Sequence, residues 1–319
     1  MRALGRNIFY LLRGLIKRLP YAVFRIFSYV FVFVGHCVMF KKRKIAIDNL
    51  EIAFGREKDQ REIKKIARDC FDNFGRGMID LIYFIDRPHE IIEKVSIEGK
   101  EHLEKVLEAK KGAVIVSAHF GNFILMYLRT ILEGYKINVI MRRTRDKKFE
   151  KYISDFRRER GIKTIYDLPA RRCVQESLKA LRNNELLFIL LDQNYGSEGR
   201  VFVDFFGEKA ATATGPVVFS NRTGAAIVPM FIMGDHNDRH KLIIEPPLAL
   251  EKSQDEQQQL VSTVAQITKV IEKHVRQRPF EWGGWMHKRW KSRTVEEQAM
   301  IDQLKDEGYK NHHLFLYND

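Results

Sequence analysis

Val114-Ile-Val-Ser-Ala-His119-Phe-Gly-Asn122-Phe-Ile124-Leu125 is the stretch whose reading decides the fold. Its first half is a β-branched apolar run that ends in small residues. His119, Gly121 and Asn122 follow, and a new apolar-periodic stretch begins after them. That order describes a strand delivering a histidine to the mouth of a helix. His119 is therefore expected at a strand's carboxyl end.

Working outward, apolar runs predict further strands over 136–141, 185–191, 225–233 and 241–245, beside the first at 112–118. Amphipathic stretches at 149–160 and 173–182 separate them, which implies an α/β sheet with helices on its faces. Ligands of such sheets bind beyond the carboxyl ends of the strands. Asp192 ends the run Leu186–Leu191 and belongs to the same edge as His119. It opens Asp192-Gln193-Asn194-Tyr195-Gly196, a polar tip on a rigid stem. Upstream, Ile63, Ile66, Cys70, Phe71 and Phe74 recur at helical spacing in a charged stretch from Glu57 to Arg76.

The 319 residues are 45% apolar, enough for a real core, and carry a formal charge of +14. Such a balance attracts nucleic acid, a phospholipid surface or an acidic protein. No zinc spacing, helix-turn-helix signature or aromatic RNA-binding motif accompanies the charge, so nucleic acid is not the expected partner. Basic residues instead flank an apolar segment, Leu19 to Phe40, with Arg13, Lys17 and Arg18 before it and Lys41-Lys-Arg-Lys44 after it. About 20 apolar residues suffice to cross a bilayer. Cations at both ends and Arg25 inside the segment fit a tilted or interfacial anchor too, with Phe24, Phe27, Tyr29, Phe31 and Phe33 as its aromatic load. The expected organisation is a membrane anchor over 1–45 and a catalytic domain over 46–319. No small-residue cleavage pattern follows the segment at Gly35-His36-Cys37, so the anchor is expected to be retained and the domain to stay on the cytoplasmic face. Cys37, Cys70 and Cys173 are too few and too scattered for a disulfide framework or a zinc site.

Several blocks occur in one order: Asn49-Leu50 with Ala53-Phe54, Asn73-Phe74-Gly75, the His119 block, Asp192-Gln193, Val201-Phe-Val-Asp204-Phe-Phe-Gly207, Thr214-Gly215-Pro216 and Trp285-Met-His287-Lys-Arg289-Trp290-Lys291. In these the chain resembles the lipid A late acyltransferases, the lauroyl and myristoyl transferase group of the lysophospholipid acyltransferase superfamily. The resemblance implies a mixed sheet flanked by helices with an N-terminal membrane-anchoring helix. It also implies O-acyl transfer from acyl carrier protein or acyl-CoA to a hydroxyl of a lipid A precursor or related anionic glycolipid, at the bacterial inner membrane. His119 would be the general base. No metal or bound cofactor is expected, because a thioester is already activated.

In that family a Glu or Asp stands five residues after the histidine, and here the position is Ile124. Asp192 is the expected replacement, with Asp204 as the weaker candidate. Arg143, Arg157 and Arg160 lie in basic blocks expected to grip the anionic head of a glycolipid or a phosphopantetheine. Asn122 and Gln193 complete the expected substrate contacts, and amides around Gly121 and Asn122, or an arginine, are expected to face the oxyanion. His287 is expected to serve packing. Two other readings stay open: a non-catalytic lipid-binding or scaffolding homologue, which would explain Ile124 directly, and transfer to a phospholipid or aminolipid.

Overall fold

The computed structural model describes residues 21–84, 86–144, 146–235, 239–250 and 255–306. Helices α1 (Tyr21–Val38), α2 (Phe40–Phe54) and α3 (Gln60–Phe84) precede the sheet. Helix α4 (Pro88–Lys94), strand β1 (Val95–Glu98) and helix α5 (Lys100–Glu108) lead into it. Strands and helices then alternate: β2 (Ala113–Ser117), α6 (Phe123–Leu132), β3 (Ile137–Met141), α7 (Lys147–Glu159), β4 (Ile162–Tyr166), α8 (Ala170–Arg182) and β5 (Leu186–Leu190). A hairpin of β6 (Arg200–Phe205) and β7 (Glu208–Ala213) follows, then α9 (Gly215–Thr223), β8 (Ala226–Gly234), β9 (His240–Ile244) and α10 (Glu256–Gln277). Two 3₁₀ turns, Pro279–Glu281 and Gly283–Met286, and α11 (Val295–Asp306) come last.

The seven-stranded sheet has the order β1-β9-β8-β2-β5-β3-β4, and all its neighbours are parallel except β8 and β9. This is the expected mixed α/β sheet with helices on its faces. Central strands read as unbroken apolar runs because both of their faces are covered. Val114 and Val116 face a core shared with Leu187, Ile189 and the tryptophans near the end of the chain. Ala113 and Ile115 face the opposite core with Leu186, Phe188, Leu125 and Met126. Truncating a buried ring such as Phe188 to Ala would cost about 3–5 kcal/mol.

The expected anchor segment folds as α1 and lies along α3. Val32 is buried at their contact, where a Cβ added to Gly75 would stand 3.0 Å from its Cγ2. The outer side of α1 leaves Ile26, Val30 and Phe33 uncovered, at 66%, 58% and 69% exposure. Among the described residues no helix is long and apolar enough to cross a membrane. The boundary expected between residues 45 and 46 falls inside α2, which is continuous from Phe40 to Phe54. Arg13, Lys17 and Arg18 of the anchor's basic flank, and residues 307–319 of the domain, lie outside the described residues.

Candidate active site

Register brings the two candidate catalytic residues together. Strands β2 and β5 are parallel neighbours with Ser117 opposite Leu190, and His119 and Asp192 each stand two positions further along. The Leu191 N–H donates to the Ser117 carbonyl at 3.0 Å, so the pairing persists past the strands and the two side chains emerge side by side. The His119 Nδ1 lies 2.9 Å from Asp192 Oδ1. Asp192 Oδ2 accepts from the His119 backbone N–H at 3.0 Å and from the Trp282 indole N–H at 2.8 Å. A fully buried carboxylate is thus held by donors on both oxygens.

Electrostatics follow from that contact list. Burial pushes the Asp192 carboxyl up, but the His119 charge, the hydrogen bonds of its ring and backbone, and the Trp282 indole bring it down to about 2. For His119, burial disfavours the charged ring, and the charge and hydrogen bond of Asp192 outweigh it and leave the imidazole above its ordinary value. An ionised carboxylate only accepts, so Nδ1 carries its proton toward Asp192 and Nε2 is the nitrogen available as a base. The His119 side chain is about a quarter exposed, with Phe123 edge-on at 5.0 Å.

The turn that carries His119 is clamped from behind by the segment after α10. Phe120 and Trp282 form an antiparallel bridge in which the Gly121 N–H donates to the Glu281 carbonyl and the Gly283 N–H to the His119 carbonyl, both at 2.8 Å. Gly121 has φ of +54°, and a Cβ there would stand 2.1 Å from the Ile232 carbonyl oxygen, so only glycine fits. Its amide is engaged by Glu281 and is not a free oxyanion donor. Glu281 itself is buried, accepts from the Gly234 N–H at 3.0 Å and meets the Arg278 guanidinium at 2.9 Å. Burial still lifts its carboxyl to about 7. Arg289 is fully buried and donates to the carbonyls of Gln193 and Ala211 and to the Thr212 hydroxyl, fixing the loop after Asp192 to the hairpin.

A cavity of about 890 Å³ opens at His119, within the range of ligand-binding clefts. Leu128, Val139, Met141, Phe156 and Ile189 make its wall apolar, and Ile124 belongs to that wall. Gln193 also lines it, with its side-chain nitrogen 3.4 Å from each ring nitrogen of His119.

The other expected site residues are dispersed. Asn122 is buried behind the turn, where its amide oxygen caps α6 at the Leu125 N–H and its nitrogen donates to the Gly77 carbonyl. Arg157 and Arg160 line the cavity, yet each faces an acid of the chain itself: Glu150 at 3.6 Å and Asp86 at 2.8 Å. Arg143 stacks on Tyr166 at 4.2 Å and is not part of the cavity wall. Arg142 is in the wall, paired with Asp167, and Arg145 lies outside the described residues. Asp204 is exposed and caps the hairpin turn through the Gly207 N–H. The His287 ring centroid is 6.2 Å from that of His119; burial, reinforced by the nearby Lys42 and His119 charges, holds it down at about 4. Trp282, Glu281, Arg289 and the cavity-lining Tyr127 were not singled out by sequence; of these only Arg289 falls inside the Trp-rich block read there. Among the described residues no group of His, Cys, Asp and Glu is arranged to hold a metal ion.

Comparison with known proteins identifies the family. Residues 3–292 match the family described as bacterial lipid A biosynthesis acyltransferase. The chain is 28% identical over 260 residues to the lipid A biosynthesis lauroyltransferase of Escherichia coli K12, covering 80% of this chain and 81% of that protein. It is 25% identical over 269 residues to the lipid A biosynthesis palmitoleoyltransferase of the same organism, covering 82% of each. A phosphatidylinositol mannoside acyltransferase of Mycobacterium tuberculosis H37Rv is 28% identical over 134 residues, 42% of each chain.

Proposed function

Because the chain belongs to the bacterial lipid A biosynthesis acyltransferase family, we propose that it moves a fatty acyl group from an acyl thioester to a hydroxyl of a lipid A precursor or related anionic glycolipid. The donor is acyl carrier protein or acyl-CoA. One observation carries the reading: a histidine whose Nδ1 is held 2.9 Å from a buried carboxylate stands at the opening of a large apolar cavity.

In this reading the His119 Nε2 takes the acceptor's hydroxyl proton as its oxygen attacks the thioester carbonyl. The tetrahedral oxyanion then collapses, the carbon–sulfur bond breaks, and the thiolate leaves with the proton from the imidazolium. Asp192 holds the tautomer and stabilises the imidazolium, the part played by the buried acid of hydrolase triads. We assign the oxyanion contact to the Gln193 amide, on the strength of its distance from both ring nitrogens. The apolar cavity receives the acyl chain. Arg157 and Arg160 are the proposed contacts for an anionic head, a role that requires a phosphate to displace or share Glu150 and Asp86.

The protein works at the cytoplasmic face of the inner membrane, with residues 1–45 as its anchor. The uncovered side of α1 supports an anchor that lies in the interface. A non-catalytic role drew its support from Ile124, and Asp192 now supplies the carboxylate that Ile124 lacks.

The test is to incubate purified protein with labelled acyl carrier protein or acyl-CoA and candidate acceptors, and to follow label into lipid. His119→Ala should lower turnover on the order of 10² to 10⁴-fold with an unchanged circular dichroism spectrum. Full turnover by the folded variant would sink the mechanism, and a wild-type protein inert with both donors would sink the enzyme reading.

A further inference from the structure

A second groove, of about 650 Å³, lies between α2 and α3 and is distinct from the acyl cavity. From α2 it is lined by Phe40, Arg43 and Lys44, and from α3 by Arg61, Lys64, Lys65 and Arg68. Positions 61, 64, 65 and 68 are one face of a helix, so four cations stand in a row at i, i+3, i+4 and i+7. Like charges at that spacing repel and weaken the helix that carries them. The chain offers little to offset this: none of the described residues lining the groove is acidic, and Asp69 beside it is shared by Lys65 at 2.9 Å and Arg68 at 3.8 Å. Lys65 and Arg68 remain 69% and 62% exposed. A groove built this way presents a concentration of positive charge to an external anion.

The apolar surroundings name the kind of anion. Phe40 is both a wall of the groove and 59% exposed, and α1 just before it carries a strip of uncovered apolar side chains, Ile26, Val30 and Phe33. An acidic protein would match the charge and leave that strip in water. A bilayer containing anionic lipid covers both at once, with acyl chains against α1 and phosphates at the level of the groove. We propose that the α2–α3 groove is a binding site for the phosphate head of an anionic glycerophospholipid, which sets the depth and orientation of the protein on the membrane. The proposal rests on the reading of α1 as an interfacial anchor and adds a headgroup site to it.

Flotation of the full chain with vesicles tests it, using phosphatidylcholine alone and an equal mixture of phosphatidylcholine and phosphatidylglycerol. Wild type should prefer the mixed vesicles by about 10-fold or more, since each cation near an anionic surface contributes a several-fold gain. Lys64→Glu with Arg68→Glu should abolish that preference and leave binding to phosphatidylcholine in place. Arg61→Gln with Lys64→Gln, a milder change on the same exposed face, should lose part of it, and circular dichroism verifies that both variants are folded. Equal binding of wild type to the two vesicles, or an undiminished preference in the folded variants, overturns the headgroup site while α1 still stands as the membrane face. Failure to bind either vesicle overturns the membrane face itself. If the variants keep their lipid preference but lose binding to acyl carrier protein in solution, the groove is a protein dock and the proposal is wrong.

Discussion

Charge is treated in opposite ways in two regions of this molecule. At the edge of the sheet a buried carboxylate meets three donors from two parts of the chain, the ring and backbone of His119 and the indole of Trp282, with Arg289 bracing the loop beside it. On α2 and α3 six cations line a groove that no acid lines, with Asp69 between two of them and Asp48 near Lys44. Removing a charge from water is tolerable only when partners are already in place. Where the chain supplies all of them it fixes a geometry for chemistry; where it leaves them out, the charges stay near water and wait for a ligand. The difference separates a preorganised centre from a docking surface, and substitutions on either side should fail differently.

Breaking the preorganised side at its acid should have the larger effect. Asp192→Asn keeps the shape and removes the charge, so turnover should fall on the order of 10² or more with little change in acceptor KM, the pattern of an interaction made mainly in the transition state. The pH profile gives a second readout. In wild type the acid limb of kcat/KM should have its midpoint above the ordinary histidine value of about 6.5, because Asp192 raises the imidazole. Without that carboxylate burial dominates and the midpoint should move to lower pH. An unchanged midpoint would show that another group orients the base.

Ile124→Glu tests the same side from the position where the family carries its acid. The new carboxylate would stand in an apolar wall and compete for a ring nitrogen that Asp192 already holds. A fall in turnover of about 10-fold and a higher KM for the acyl donor are expected, as the chain's path along the wall is interrupted. Activation by this substitution would mark the site as a decayed version of the family's dyad, with Asp192 in a structural role.

The substitutions also trace what a linear reading captures. Strands β2, β3, β5, β8 and β9 were legible because burial turned them into apolar runs. Strand β1, Val95-Ser-Ile-Glu98, and β4, Ile162-Lys-Thr-Ile-Tyr166, are short with mixed burial and gave no such signal. His119 and Asp192 were visible as polar residues at strand ends. Their contact was not, since it depends on β2 and β5 being neighbours, a pairing across some seventy positions of chain. The arginines show the reverse failure: Arg157 and Arg160 looked free in sequence, and their partners Glu150 and Asp86 come from other turns and elements. The groove cations of α3 were passed over because the charged helix was read only for its apolar face, while Arg43 and Lys44 were read as the anchor's basic flank.

The smallest effect, and the one that measures preorganisation itself, should come from Trp282→Phe. The phenyl ring keeps most of the contact with Trp285 and Phe205, whose centroids lie at 4.4 Å and 5.4 Å, and loses only the N–H that reaches Asp192 Oδ2. A hydrogen bond to a buried charge contributes about 1.5–3 kcal/mol, so the unfolding free energy near neutral pH should fall by that order, with a few-fold loss of turnover. The sign of the pH effect follows from Asp192. Its carboxyl is held at about 2 against an ordinary 3.8, so its contribution is fully present above the higher value and is lost as pH falls through the lower one. Loss of the indole donor raises the folded value and shrinks that window, so the variant's extra instability should diminish under acid titration. The lost packing is separated by repeating the change in an Asp192→Asn background: a smaller penalty there measures the charge-assisted bond, and an equal penalty in both backgrounds would reduce Trp282 to a packing residue.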